Sequence, residues 1–496
     1  MKFFSSKTKN FLIKNYLFLI TFLVITFFNF YSLPGDLFNA DQHFWFQRTT
    51  NFVKAIQNGE FDKTFQNPKP GVTIMILSGA SLETFLTLYQ LRYNFRPLIF
   101  TQDTYGYIDF SVKAPLVILG LVSFVFLYVY LKKLFDEKIA LFSLILLGLS
   151  PYYTAMNRLF HGDGTMNSFF LICILLLVYF FLTQKFKFLI YSAIAGGCAF
   201  LAKSQAIFLV PYIFLISGLG FLILKRNLKD SIKTVLIWLG TFSLTIYILF
   251  PAMWEQPIKT FSKIFDEGLI VASEGRNFEQ GENNYFYYFN SLYWTNNIIL
   301  QVLFFVGIGL FFYNYKKLKK DHIFIFLSFI SIIIFYFLQM TLVVQKSDRY
   351  ISVLTPYIVI FAAYTLSLIK VDFKKLSFSL LIISIIYISY FAPYYLALYE
   401  KDNWGSLTRE VANYLNSKNN PQNLNVVMSP KDHTLRPLFK GKVYNIGEGI
   451  PKNNIPDYIV LGNLEELPLK YNFCIYDKSI EFREKLFWQI YICNKQ

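Results

Sequence analysis

Apolar stretches near the ~20 residues that carry a helix across ~30 Å of hydrocarbon recur along the chain as far as residue 395. The pattern predicts eleven spans, at 11–31, 112–131, 139–155, 165–182, 188–202, 206–224, 234–250, 298–315, 323–343, 350–369 and 376–395. Segment 188–202 is short and carries Gly196-Gly197, small residues that let helices pack closely. Between the first two spans lies a polar stretch, 32–111, that reads as a loop. Within it, 41–58 has helical periodicity, with Asn39 as a cap, an apolar stripe of Phe44, Phe52, Ala55 and Ile56, and a stop at Asn58-Gly59. Segment 72–91 follows Pro70-Gly71, carries Glu83, and reads as a helix lying in the interface plane.

After residue 396 the pattern changes. Short β-like runs at 425–428, 442–446, 457–461, 472–476 and 488–493 alternate with Gly and Pro, and 404–415 looks helical. The expectation is a polytopic α-helical membrane domain over 1–396 and a small soluble α/β domain over 397–496. No internal repeat is visible.

Composition agrees with a membrane protein. The hydrophobic fraction is 55% and the mean hydropathy +0.41. The net charge of +16 does not mark a nucleic-acid binder, because Lys and Arg fall in short clusters between apolar runs rather than on one basic face. Those clusters set the sides. Lys2, Lys7, Lys9 and Lys14 precede the first span, which is too long for a signal peptide and lacks a small-residue cleavage site. Lys132-Lys133, Lys225-Arg226 and Lys374-Lys375 then fall on the same side. The N-terminus is thus expected in the cytoplasm and the tail outside the plasma (inner) membrane. Cys173 and Cys198 lie in apolar runs; Cys474 and Cys493 lie in the tail, where they could pair.

Chemistry-bearing residues collect at span ends on the cation-poor side. They are Asp41 with Arg48, then Arg158, His161 and Asp163, then Lys203, then Lys346, Asp348, Arg349 and Tyr350. Each has an ordinary reading: a cation at a membrane boundary anchors the chain, Asp41 suits a helix N-terminus, and Asp163 suits a turn. Their coincidence favours a site in which cations hold a phosphate and a carboxylate moves a proton. His161 and Asp163 could also ligate a divalent metal, although two ligands do not make a site.

Five stretches in order then carry a resemblance. They are DQHFWFQRTTNFVKAIQNGEFDKTFQNPKPGVTIMILSG, SPYYTAMNRLFHGDGTMNSFF, GGCAFLAKSQAIFLVP, FPAMWEQP and SDRYISVLTP. They resemble GT-C glycosyltransferases related to the protein O-mannosyltransferases (glycosyltransferase family 39, bacterial), and the resemblance covers about residues 10–365. The resemblance implies a GT-C-like bundle whose long first outside loop carries interfacial helices. It implies an inverting transfer of a sugar from a polyprenyl-phosphate carrier to an acceptor protein, lipid or glycan at the outer face. No cofactor is required by it, and a divalent metal stays open. It gives Asp41 the role of general base. Arg48, Lys203 and Arg349, with Arg158 behind them, would hold the donor phosphate, and Gln42, His161, Asp163 and Tyr350 would organise the site or meet the acceptor. The chain departs from the family pattern at three points. Gln42 stands where Glu is usual, Lys69 where His is usual, and Gly162 and Gly164 flank Asp163, giving a looser turn. Two other functions fit the composition. A lipid-linked-sugar flippase would show paired halves and mid-membrane charges, and a non-catalytic polyprenyl-phosphate-binding member would fit Gln42.

Overall fold

The computed structural model describes residues 15–34, 41–97, 102–273, 285–391, 407–430, 432–447, 455–463, 465–482 and 484–493. The expected cap Asn39 lies outside these residues.

A helix stands at each of the eleven predicted spans. Among the described residues nine helices are long and apolar enough to cross a membrane, or ten if one bent pair counts as a span. The apolar helices Tyr16–Phe30 and Phe186–Ala202 are shorter. One reading needs correction. The predicted span 139–155 is broken into Glu137–Gly148 and Pro151–Arg158, bent by 65°. Pro151 explains the break, since it has no N–H to donate and disfavours a helical residue before it. Ser150 restarts the helix by accepting from the Tyr153 N–H. Val72–Tyr93 is the helix expected in the interface plane. It is one 22-residue helix with a mean hydropathy of 1.4, which qualifies as a span by length and composition. Its polar residues are spent locally: Ser78 donates to the Val112 carbonyl, Thr73 to the Cys198 carbonyl, and Glu83 pairs with Arg96.

Packing concentrates around Gly162–Thr183, which is buried along most of its length and lies between the long helix Gln102–Leu134 and Phe186–Ala202. Thr355–Ser367 is buried in the same way against Ile298–Asn314 and Glu137–Gly148. These all-round apolar helices form the interior of the bundle, while helices such as Phe373–Phe391 keep Ile382, Ile383 and Ile386 exposed for lipid.

The first-loop helix runs Gln42–Gln57 and ends at Gly59, whose φ of 71° only glycine adopts cheaply. Its buried face is Gln42, Trp45, Phe46, Thr49, Phe52 and Ala55. The expected stripe therefore rotates: Phe44 and Ile56 are exposed. Gly71 closes the loop at φ 62°, and a Cβ there would fall 2.3 Å from the Trp45 ring. That contact fixes where Trp45 sits.

The tail folds on a five-stranded sheet. Its strands are β1 (Asn425–Ser429), β2 (Lys442–Asn445), β3 (Tyr458–Gly462), β4 (Ile475–Phe482) and β5 (Lys485–Ile492), in the order β2-β1-β3-β5-β4. β1 pairs in parallel with β2 and β3, and β5 pairs antiparallel with β3 and β4. Alternation sends Val426, Met428 and Val460 to the face covered by the helix Thr408–Asn416. Val427, Ile459 and Leu461 go to the other face, beside the Cys474–Cys493 disulfide. This unit meets the first-loop helix. His433 lies 5.8 Å from the His43 ring and 5.9 Å from Phe44, and Arg409 donates to the Pro34 carbonyl.

Candidate active site at the helix ends

Four chain segments that end at one level of the bundle supply the site. Asp41 immediately precedes the Gln42–Gln57 helix, yet its carboxylate accepts no capping hydrogen bond from it. It turns instead toward His161, whose Nε2 lies 3.3 Å from Asp41 Oδ2. His161 is the extended residue before Gly162–Thr183, and its Nδ1 lies 2.7 Å from Oδ2 of Asp163 in the first turn of that helix. The imidazole thus bridges two carboxylates, and it serves both by donation only when both nitrogens carry protons.

Asp163 is the buried hub. Its other oxygen accepts from the Lys203 ammonium, and the Arg349 Nε lies 3.9 Å from Oδ2. Position at a helix N-terminus adds to the stabilisation of its charge. Lys203 sits in extended conformation between Phe186–Ala202 and Ser204–Phe208, with its ammonium 4.5 Å from the Tyr350 ring centre. The two glycines beside Asp163 do not loosen the turn. A Cβ on Gly162 would lie 2.9 Å from the Ala202 carbonyl, and one on Gly164 would lie 2.5 Å from the Met156 carbonyl. Gly162 lets the backbone carry Asp163 up to Lys203, and Gly164 lets it pass Met156 and Asn157.

These groups open onto a cavity of about 540 Å³. Asp41, Arg48, Lys69, His161, Lys203 and Arg349 are part of its lining. Its remaining wall is largely apolar, with Ile207, Phe261, Phe265, Leu269, Leu342 and Val343. Arg48 reaches it after stacking over Trp45, 5.1 Å from ring centre to guanidinium carbon. Burial would raise the Asp41 carboxyl, but the His161 hydrogen bond and the charges of His161, Arg349 and Arg48 outweigh it and hold the group well below the usual carboxylate range. Burial pulls the Lys203 ammonium down to about 8, against the opposing charge of Asp163 and helped by Arg349.

The structure brings together Asp41, Arg48, His161, Asp163, Lys203, Arg349 and Tyr350. Two residues expected at the site face elsewhere. Arg158 is buried and donates to the Phe28 and Tyr31 carbonyls, closing the C-terminal end of the first helix, where carbonyls lack helical partners. Gln42 is fully buried on the opposite side of the helix start, bonded to Tyr105 and Asp109. Metal ligation by His161 and Asp163 gains no support in the geometry. Among the described residues no three His, Cys, Asp or Glu side chains are arranged to hold an ion, and both imidazole nitrogens already face carboxylates.

Sequence reasoning passed over Lys69 and Glu267. Lys69 had been noted only as a departure from a family pattern, although its place beside Pro70-Gly71 puts it on the cavity wall. Glu267 lies on Pro257–Ser273, in a loop with no motif, and is 6% exposed.

A helical membrane bundle whose first loop folds over a polar site at the helix ends, followed by a small sheet domain, is a GT-C-type fold. The structure is similar to "ArnT from Cupriavidus metallidurans bound to Undecaprenyl phosphate", with a TM-score of 0.57 and 11% identity, covering 98% of this chain and 100% of that one. It is also similar to the archaeal oligosaccharyltransferase AglB from Archaeoglobus fulgidus in complex with an inhibitory peptide and a dolichol-phosphate. That match has a TM-score of 0.50 and 12% identity, covering 92% of this chain and 70% of that one. Residues 102–254 match the family model described as dolichyl-phosphate-mannose-protein mannosyltransferase. The family match covers less than half of the chain, and the likeness to these structures shows a GT-C-like fold. The family match begins after Asp41 and ends before Arg349, so it does not assign the roles of either. No curated protein matches the sequence at a significant level.

Proposed function

We propose that this protein is an inverting glycosyltransferase that moves a sugar from a polyprenyl-phosphate carrier to an acceptor hydroxyl at the outer face of the plasma (inner) membrane. The observation that carries the reading is one cavity whose lining joins a carboxylate and cations with a largely apolar wall. A carrier phosphate suits the first and a prenyl chain the second. The relatives whose descriptions include undecaprenyl phosphate and dolichol-phosphate support a lipid-linked donor.

In this reading Arg48, Lys203 and Arg349 hold the donor phosphate and stabilise the charge that grows on it as the bond to the sugar breaks. Asp41 accepts the proton of the attacking hydroxyl. In the free protein its charge is satisfied by His161, Arg48 and Arg349, which makes it a weak base. Donor binding would draw Arg48 and Arg349 toward phosphate and raise the basicity of Asp41 when it is needed. Asp163 and His161 orient Lys203 and Asp41, and Tyr350 supports Lys203. The membrane domain (1–396) holds the site, and the domain at 397–496 lies outside and presents the acceptor, a protein, lipid or glycan. Its disulfide suits an oxidising compartment.

The test is direct. The purified protein should carry a polyprenyl-phosphate lipid identifiable by mass spectrometry, and should bind undecaprenyl phosphate in nanodiscs. Absence of any prenyl-phosphate binding would sink the proposal.

A further inference from the structure

Beneath the first turn of the Gln42–Gln57 helix lies a second charged cluster, sealed from the cavity. Gln42 Nε2 donates to the Tyr105 hydroxyl at 3.1 Å and to Asp109 Oδ1 at 2.5 Å. The other Asp109 oxygen accepts from Lys113 Nζ at 2.9 Å. Gln42, Asp109 and Lys113 are each 0% exposed, and Tyr105 is 2% exposed. Asp109 and Lys113 are one helical turn apart on Gln102–Leu134, whereas Gln42 comes from 67 residues away along the chain.

Such a cluster is costly, because two charges leave water and only good geometry offsets the loss. A well-packed apolar trio would hold two helices together at least as well. What the polar trio adds is direction. A carboxylate with one oxygen fixed by Lys113 offers the other at a single place, and an amide N–H must come to that place. Gln42 is the residue after Asp41, so fixing the Gln42 side chain fixes the backbone from which the Asp41 carboxylate departs. Arg48 and Trp45, on the cavity side of the same helix, move with that turn.

We infer that Asp109, held by Lys113, is a positioning residue that anchors the Asp41–Arg48 segment through Gln42. The inference rests on the proposed function only in giving Asp41 and Arg48 their roles at the cavity. An anchor of this type needs one carboxylate and one amide, and it does not prescribe which helix supplies which.

The experiment uses the full-length protein in nanodiscs, with three variants: Asp109→Asn, Gln42→Glu, and the double exchange. Hydrogen exchange is followed over residues 41–48, together with Tm and the Kd for undecaprenyl phosphate. Asp109→Asn leaves Lys113 without its carboxylate, and Gln42→Glu sets two carboxylates against each other. Each single variant is expected to speed exchange in this segment by roughly ten-fold, the scale of one weakened local anchor. Each should also weaken lipid-phosphate binding several-fold. The double variant restores one carboxylate facing one amide while Lys113 now meets an amide, so it should recover part of both losses. Unchanged exchange in Asp109→Asn with an intact Tm overturns the inference. So does a double variant no better than the worse single one, since residues that do not interact would add their losses. If exchange responds and recovers as expected while lipid-phosphate affinity never moves, the anchor stands and the reading of Arg48 as a phosphate ligand fails.

Discussion

Asp41 and Gln42 are neighbours in the chain, and the two polar clusters they join differ in almost every physical respect. Asp41 faces the cavity with a side chain 38% exposed, among His161, Arg48 and Arg349. Gln42 faces away, fully buried against Asp109 and Lys113. The first cluster has several cations around a carboxylate that solvent can reach, so an incoming phosphate can compete for them. The second has one carboxylate, one ammonium and one amide, with no route to solvent. The contrast separates two uses of charge: a reachable cluster can exchange partners during a reaction, and a sealed one can only hold a position.

Exchanging Asp41 for Asn should have the largest effect. A general base contributes about 10²–10⁴-fold, so kcat for sugar transfer should fall by that order while undecaprenyl phosphate binding and Tm hold. Full activity in that variant would remove Asp41 from the base role and erase the contrast. Next comes Asp163→Ala. It leaves Lys203 and Arg349 close together without their shared carboxylate, and breaking such a buried group costs about 3–5 kcal/mol. Thermal unfolding of the variant should show it; a Tm unchanged from that of the native protein would mean that Asp163 is not the hub.

Arg349→Ala should weaken undecaprenyl phosphate binding by roughly ten-fold, the worth of one charge-assisted hydrogen bond. The same titration can be followed against pH. Lys203 is protonated below about 8 and loses its charge as pH rises through that value. Phosphate affinity should therefore be greatest below this point and decline above it, and Lys203→Arg should flatten the decline. An equal decline in the Arg variant would place the titrating group elsewhere. The smallest effect on binding is expected from Arg158→Ala. Its bonds to Phe28 and Tyr31 bear on stability, at about 1–3 kcal/mol. Its Kd for undecaprenyl phosphate should stay within about twofold of the native value, inside the scatter expected for a residue away from the site. A tenfold rise would return Arg158 to the phosphate.

The membrane fold was legible because a hydrocarbon slab imposes one strong pattern, long apolar runs with cations gathered between them. Every predicted span has its helix, and four of the sheet runs in the tail fall on strands, while 472–476 reaches only the first two residues of β4. The error arose where the same apolar signal admits two geometries. Segment 139–155 reads as continuous by hydropathy, and only the Pro151 break bends it. In Val72–Tyr93 the polar Ser78 and Thr73 bond to backbone carbonyls of neighbouring helices. Spacing alone does not bring Cys474 to Cys493; the folded tail, with Cys474 just before β4 and Cys493 just after β5, does.

The sequence by itself determined that this chain crosses a membrane many times, carries a long first loop, and ends in a small sheet domain. It also named most of the charged residues that line the cavity, because acids and cations at span ends stand out against apolar surroundings. Tertiary structure decided which way each of them points. Arg158 and Arg349 look alike as cations at helix ends, but one closes carbonyls of the first helix and the other approaches Asp163. Asp41 and Gln42 differ by one position, which on a helix turns the side chain by about 100°, enough to put one in the cavity and the other in the core. A single sequence records residue types and spacing, and the partner across the gap is fixed only when helices far apart in the chain pack together.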